Sequence, residues 1–141
     1  MPRIKIETPD NIIFTTEIAL RISDINYGGH LGHDTILSLT HEARVRFLTQ
    51  NNYTELDIEG VGLIMSDVGI TYKSECFYGD IIKTDIGLGS LGKTNFELIY
   101  ILSNTKNGNE VAKVMTRLVF FDYNARKTVQ MPEKFKDILI S

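Results

Sequence analysis

The sequence predicts an α+β fold in which an antiparallel β-sheet packs against one long helix. Two observations support this fold class. Residues 34–50 carry the apolar period of a helix, and most of the remaining chain consists of short β-rich segments separated by turn residues. Because 141 residues are enough to bury one hydrophobic core, we expect residues 1–141 to form a single domain.

The chain before the helix predicts a β-hairpin followed by a loop. Residues 3–7 and 12–22 are the two predicted strands, because both are rich in apolar and β-branched residues. Between them, residues 8–11 read Thr-Pro-Asp-Asn, which is typical of a turn. Residues 26–33 then contain three glycines, a composition that favours a loop over a helix or a regular strand.

The long helix is predicted to begin with Asp34 as its N-cap and to close at Asn51. The apolar stripe along one of its faces consists of Ile36, Leu39, Ala43 and Phe47. Residues 34–50 span roughly 25 Å as a helix, which is long enough to cross a small sheet. A helix of this length needs a sheet wrapped around it to bury its apolar stripe.

Four segments after the helix predict an antiparallel meander: residues 62–73, 81–88, 94–102 and 111–121. The pair Asn107-Gly108 is the strongest hairpin signal in the chain. Residues 132–140 predict a short C-terminal helix with Pro132 at its first position. One sheet around one helix leaves sheet edges and the outer face partly uncovered, so we expect a homodimer.

Composition and charge exclude several classes of protein. The formal net charge of −3 argues against a nucleic-acid-binding protein, which normally carries a basic surface. No apolar run approaches the ~18 residues that a membrane-spanning helix needs. Cys76 is the single cysteine, so it cannot form an internal disulfide, and a packing role in a reducing compartment is expected. We therefore expect a soluble cytoplasmic protein without a membrane span.

Three blocks of the sequence carry a resemblance to a known family. Residues 21–33 resemble a pattern of two acidic positions one residue apart, a histidine-containing loop and an asparagine-rich start of a helix. Residues 41–48 are similar to a Glu-Ala-Arg segment of a central helix, and residues 72–74 with 77–80 to the strand and turn that follow it. In this order they resemble the 4-hydroxybenzoyl-CoA thioesterase branch of the hotdog superfamily.

The resemblance implies a hotdog fold, in which an antiparallel sheet wraps around one long central helix. It also implies hydrolysis of the thioester of an acyl-CoA, or of an acyl group on acyl carrier protein, without a cofactor. Homodimers that can pair into homotetramers are expected as well. Side chains that can line an acyl channel are Leu63, Met65 and Phe77, although core packing explains them equally well.

The chain departs from the family pattern at the position of the base. Asn26 stands where the family often has an aspartate that attacks the thioester or activates water, and an amide cannot act as a base. Gly32 and His33 stand where relatives commonly carry paired asparagines. These departures leave the predicted fold unchanged and require another group to accept the proton.

Backbone N–H groups of Gly32, His33 and Asp34 are the predicted oxyanion and substrate-binding site. A helix N-terminus offers unpaired donors and the positive end of the helix dipole, and glycine lets a ligand approach the backbone closely. The alternative interpretation of the same residues is an ordinary tight turn.

Four residues are candidates for the catalytic groups. Glu42 lies near the flank of the apolar stripe, where partial desolvation suits a base, or else it forms an exposed salt bridge to Arg46. Asp24 ends a strand and is either a cap of the loop or a base. Asn26 can orient water or hold the thioester carbonyl. His30 can act as a base, as an oxyanion donor or as a packed loop histidine.

Residues 24–34 also allow three other interpretations: a metal site, an enoyl-CoA hydratase or dehydratase, and a non-catalytic binding module. His30, His33 and Asp34 are close in sequence, but His-x-x-His in a loop is a weak signal, and we predict no metal. Asp24-Ile25-Asn26 followed by His30 resembles the Asp-x-Asn-Pro-x-His motif of hotdog enoyl-CoA hydratases or dehydratases, without its proline and with one extra residue. A non-catalytic acyl-CoA-binding module is the second alternative, because Asn26 replaces the usual aspartate.

Overall fold

A computed structural model describes residues 4–26, 28–29 and 31–141 as an α+β fold with one antiparallel sheet. The elements in chain order are β1 (Ile12–Ala19), α1 (His33–Gln50), β2 (Gly62–Tyr72), β3 (Ile81–Leu91), β4 (Asn95–Asn104), β5 (Glu110–Asp122), β6 (Lys127–Thr128) and α2 (Glu133–Ile140). A short 3-10 turn, Ile22–Asp24, follows β1. The antiparallel sheet against one long helix confirms the predicted hotdog architecture.

The long helix α1 packs its predicted apolar stripe against the sheet. All four members of the stripe are buried: Ile36, Leu39, Ala43 and Phe47. Its predicted start, however, was wrong by two residues. The N-cap is Gly32, whose backbone is extended, and Asp34 is the second helical residue. An acidic side chain in the first turn still faces the positive end of the helix dipole, so the residue type that suggested a cap suits this position too.

The strand order differs from the predicted four-stranded meander. The sheet runs β1-β3-β4-β5-β2, so the meander comprises β3, β4 and β5. β2 pairs with β5 at one edge of the sheet, and β1 pairs with β3 at the other. The predicted hairpin between β4 and β5 is confirmed, with Gly108 at φ 76°, a conformation that favours glycine.

The predicted N-terminal hairpin was wrong. Only β1 is a strand, residues 4–9 have no regular structure, and residue 3 lies outside the described residues. Residues 4–10, here named the N-terminal strap, lie over the outer face of the sheet, opposite α1. Lys113 Nζ on β5 donates to Thr8 Oγ1 of the strap over 3.0 Å. The strap therefore covers a face that the sequence analysis left partly open.

Strap and sheet fit closely at β3. A Cβ atom added to Gly87 would lie 2.4 Å from Pro9 Cγ and 2.8 Å from the carbonyl oxygen of Asn11. On the neighbouring strand, Ile99 is only 5% exposed although it lies outside the main core cluster. Its neighbours Leu98 and Tyr100 belong to that core cluster, so the strand alternates between two buried layers.

A chain of polar side chains runs from the surface of α1 into the core. Arg44 is buried; its Nε donates to Glu55 Oε2 over 2.9 Å and its Nη1 to Tyr100 Oη over 3.2 Å. Tyr100 Oη also bonds Thr116 Oγ1 over 2.8 Å, and Glu55 Oε1 lies 2.6 Å from His41 Nε2. Each buried polar group in this series of side chains thus has a hydrogen-bond partner, as groups removed from water require.

Candidate active site

A cavity of about 330 Å³ opens where the loop before α1 meets the chain after β2. We name it the helix-start cavity. Its walls are formed by Asn26, Leu31, His33, Ile36, Tyr72, Lys73, Ser74, Glu75, Cys76 and Val111. Two predicted site residues, Asn26 and His33, therefore line the same cavity. The volume is within the range of small-molecule binding sites.

Contacts between residues of the cavity wall join the loop and the start of α1 to the end of β2 and the segment after it. The N–H of Leu31 donates to the carbonyl oxygen of Cys76 over 2.9 Å. The ring of His33 stacks on Tyr72, with centroids 4.2 Å apart, and Tyr72 Oη donates to the carbonyl oxygen of His33 over 3.4 Å. The start of α1 is consequently held against the end of β2.

The helix start supplies fewer oxyanion donors than predicted. The N–H of Gly32 already donates to the carbonyl oxygen of Asp24 over 3.2 Å, so it is not available to a ligand. The N–H groups of His33 and Asp34 belong to the first turn of α1, whose donors have no partner within the helix. His33 lines the cavity and Asp34 does not, so among the three predicted donors only the N–H of His33 belongs to a residue of the cavity wall.

Asn26 shapes the loop as well as lining the cavity. Its Oδ1 accepts the N–H of Gly28 over 2.9 Å, and its carbonyl oxygen accepts the N–H of Gly29 over 3.0 Å. Gly29 has φ 86°, a conformation that other residues rarely adopt. The amide of Asn26 is thus part of a tight turn at the mouth of the site.

Asp24 accepts a backbone hydrogen bond beside the loop, which fits the first of its two predicted roles, a cap or a base. The residue is 6% exposed, and its Oδ2 accepts the N–H of Arg21 over 2.8 Å. Its carboxylate lines a separate cleft of about 400 Å³ between β1 and α1 rather than the helix-start cavity. We therefore assign Asp24 to the support of the loop.

Glu42 lies on the same separate cleft as Asp24. Its Oε2 accepts from Arg46 Nε over 2.8 Å on the exposed side of α1, which is the salt bridge that was its alternative role. Arg46 continues to Thr16 Oγ1 over 2.8 Å, so the pair ties α1 to β1. Nine residues separate Glu42 from His33, or about 13 Å along a helix.

Cys76 lines the cavity but does not have the properties of a nucleophile. Burial and the nearby carboxylate of Asp80 raise the pKa of the Cys76 thiol to about 11, against an opposing hydrogen bond from Asn104. Its side chain is fully buried. A neutral thiol at physiological pH is a weak nucleophile, which agrees with the predicted packing role. His30, the remaining predicted catalytic residue, lies outside the described residues.

The sequence model of the thioesterase-like superfamily matches residues 20–139. The chain belongs to the thioesterase-like superfamily. The matched range contains α1, the loop before it and all strands but β1, so the helix-start cavity falls wholly within it. The comparison with curated protein sequences gives no match.

Solved structures place this superfamily member in the hotdog fold. A 1,4-dihydroxy-2-naphthoyl-CoA thioesterase from Synechocystis is similar at 18% identity and TM-score 0.83, over 91% of this chain and 96% of that one. A DHNA-CoA thioesterase from Staphylococcus aureus gives 21% identity and TM-score 0.76, over 87% and 83%. A Staphylococcus aureus protein in complex with CoA gives 14% and 0.82, over 96% and 86%.

Sequence reasoning missed Glu75, a carboxylate in the wall of the helix-start cavity. The resemblance of residues 72–74 to the family pointed to this part of the chain, and Lys73 was a candidate for contact with CoA phosphates, but Glu75 was given no role. Lys73 also lines the cavity and places a cation there. A polar Lys-Ser-Glu run immediately after a strand was the available signal.

Metal and membrane features are absent from the part of the chain that the structure describes. Within residues 4–26, 28–29 and 31–141, no group of three or more His, Cys, Asp or Glu side chains is placed to hold a metal ion. In the same residues, no helix combines the length and hydrophobicity that crossing a bilayer needs.

Proposed function

We propose that this protein hydrolyses the thioester of an acyl-CoA, releasing a free acid and the CoA thiol. The observation that carries the proposal is the helix-start cavity, in a member of the thioesterase-like superfamily, with the N-terminus of α1 in its wall. A thioester carbonyl in this cavity would lie against the N–H of His33, the first residue of α1. Such donors stabilise the oxyanion of a tetrahedral intermediate.

The chemistry of a thioester suits a site without a strong general acid. Thiols ionise with a pKa of about 8.5, so the leaving thiolate needs little protonation in the transition state. What the site must supply is an activated water molecule and the stabilisation of the oxyanion. The cavity presents polar groups along the chain after β2 and backbone donors at the start of α1.

CoA is proposed as the carrier of the acyl group in preference to acyl carrier protein. Two similar structures are CoA thioesterases and a third contains CoA. Lys73 in the cavity wall offers a cation to the phosphates of CoA. The volume of about 330 Å³ favours a small acyl group, aromatic or short-chain, within one subunit.

Thiol release from a panel of acyl-CoA thioesters tests the proposal. The panel should run from acetyl to palmitoyl and include benzoyl derivatives, with one acyl group also presented on acyl carrier protein. We expect release well above the uncatalysed rate for at least one CoA thioester. Crotonyl-CoA, assayed in parallel for hydration, tests the enoyl hydratase alternative.

Two outcomes would contradict the proposal. Hydration of crotonyl-CoA without thiol release would assign the chain to the hydratases. A melting temperature that rises with acyl-CoA, while thiol release stays at background across the panel, would assign it to a binding module.

We propose that the protein forms a homodimer through β2, because this strand has an open edge and exposed apolar side chains. β2 pairs only with β5 among the described residues and leaves its other edge open. Large apolar side chains remain exposed along it: Ile64, Met65, Val68 and Tyr72. Open apolar edges of this kind normally pair with another chain. Since Tyr72 also lines the helix-start cavity, the proposed interface borders the site.

A further inference from the structure

The carboxylates near the start of α1 and along its flank differ in their surroundings. Asp24 caps the loop and Glu42 pairs with Arg46, both on the cleft beside β1. Asp34 lies in the first helical turn but outside the lining of the helix-start cavity. Glu75 is the carboxylate in that lining. It therefore shares a cavity with Asn26, the residue that cannot act as a base.

The backbone on both sides of Glu75 is held by hydrogen bonds to other elements. Before it, the N–H groups of Lys73 and Ser74 donate to the carbonyl oxygen of Val111 over 2.8 and 3.3 Å. After it, the carbonyl oxygen of Cys76 accepts the N–H of Leu31 over 2.9 Å. The backbone at Glu75 is thus held between the sheet and the loop that leads into α1.

The side chain of Ser74 adds to this support. Its Oγ donates to the carbonyl oxygen of Glu110 over 2.8 Å, at the start of β5. A carboxylate used as a base must be held within hydrogen-bond reach of a bound water, and preorganised supports serve that purpose. The segment 73–76 has such supports although it is not itself a strand.

We propose that Glu75 is the general base that activates water in this site, an inference that rests on the proposed thioesterase function. Its carboxylate takes a proton from water as the oxygen forms a bond to the thioester carbon. The oxyanion faces the N–H of His33 at the start of α1. Collapse of the intermediate breaks the C–S bond, and the proton passes from Glu75 to the leaving thiolate. One water is consumed, and an acid and a thiol are formed.

Glu75→Gln tests the assignment, because the amide keeps the shape of the side chain and removes its basicity. We expect kcat to fall by about 10²–10⁴-fold, the usual contribution of a general base, with little change in KM or in melting temperature. The decline of kcat/KM towards acid pH in the wild type, which reports protonation of the base, should disappear in the variant. Glu17→Gln, an exposed carboxylate on the other cleft, is the matched control.

A second variant separates a chemical role from a structural one. Adding Asn26→Asp to Glu75→Gln returns a carboxylate to the same cavity, and Asp keeps the oxygen that accepts the N–H of Gly28. We expect part of the lost turnover to return. A structural defect at position 75 would not be corrected by a carboxylate at position 26.

Three results decide the outcome. If Glu75→Gln retains wild-type turnover, or loses turnover while the acid limb of the pH profile persists, Glu75 is not the base. If turnover falls in Glu42→Gln and persists in Glu75→Gln, the base lies on α1. If the wild type releases no thiol from any thioester of the panel, the proposed function itself fails, which is a different result from either of these.

Discussion

Arg44 keeps its charge in the core because acceptors surround its guanidinium group. Burial would lower the pKa of Arg44, but Tyr100 and Glu55 outweigh burial and raise it. Burial likewise opposes the ionisation of Glu55, yet hydrogen bonds from Arg44 and His41 hold the pKa of its carboxyl below the usual value. The ionised pair is thus a property of the folded state.

This pair predicts how stability depends on pH. A carboxyl with a lowered pKa in the folded state contributes stability that is present above its unfolded pKa, about 4.3, and is lost as pH falls through the folded value. Glu55→Gln should therefore lower the free energy of unfolding at pH 7 by about 1–3 kcal/mol. It should also reduce the loss of stability between pH 5 and pH 3, measured by urea unfolding.

Glu17→Gln is the control for that experiment, since Glu17 is exposed on β1. If the wild type and Glu55→Gln lose stability equally over this pH range, the ion pair does not govern acid stability. The result is independent of catalysis, because neither Glu55 nor Arg44 lines the helix-start cavity.

At the scale of single residues, the predicted site residues divide between two cavities, with Asn26 and His33 in one and Asp24 and Glu42 in the other. Asn26 and His33 are close in sequence, so their presence in one lining could be expected, while their roles stay predictions. Glu75 reaches the same cavity because Leu31 and Val111, both distant in sequence, bind the backbone beside it. Such long-range pairing leaves no local pattern, whereas the position of Glu42 on a helix flank and its pairing with Arg46 follow from helical spacing alone.

Among the elements, those with a strong local period were predicted well. The end of α1 at Gln50 and the hairpin at Gly108 follow from helical periodicity and from turn chemistry. The strand order did not follow, because β2 could pair with β3 or with β5 on the evidence of its own residues. The strap was predicted as a strand because it is rich in apolar and β-branched residues. Such a pattern does not determine whether a neighbouring strand is present to accept its backbone hydrogen bonds.

Contact between the strap and β3 gives a prediction for the element scale. Gly87→Ala places a Cβ against Pro9 and Asn11, so we expect a loss of about 1–3 kcal/mol in the free energy of unfolding. Gly69→Ala, on β2, is the matched control because nothing lies within 4 Å of its added Cβ. Urea unfolding of both variants measures the difference.

A second substitution that removes the contact between residue 87 and Pro9 tests whether this contact causes the loss of stability. In Gly87→Ala combined with Pro9→Gly the ring that the new methyl group meets is gone, and part of the lost stability should return. Equal stability of Gly87→Ala and Gly69→Ala would show that the strap does not rest on β3 in solution.

The oligomeric state and the specific activity of the protein are predicted to depend on its concentration. If β2 pairs with a second copy, the wild type should sediment as a dimer and lose specific activity on dilution, because Tyr72 belongs to both the edge and the cavity. Val68→Lys places a charge on this edge and should give monomers with reduced activity. Thr15→Lys on β1, where Asp85 can pair with the new amine, is the control.

A monomeric wild type at micromolar concentration, with activity proportional to enzyme over a hundred-fold dilution, would contradict the proposed interface. A dimer that persists in Val68→Lys would move the interface away from β2. In both cases the proposed chemistry of the helix-start cavity would stand, because His33 and Glu75, which are proposed to carry it, lie in the same chain.

The strap has a consequence for how the domain opens. β4 has hydrogen-bonded neighbours on both sides, β3 and β5, and the core cluster on its inner face; on its outer face the strap lies across a cavity that Ile99 also lines. A strand enclosed from four directions cannot fray separately. Its amides become accessible to solvent only when strap, sheet and helix separate together, so local breathing at the two sheet edges leaves the centre of the molecule closed.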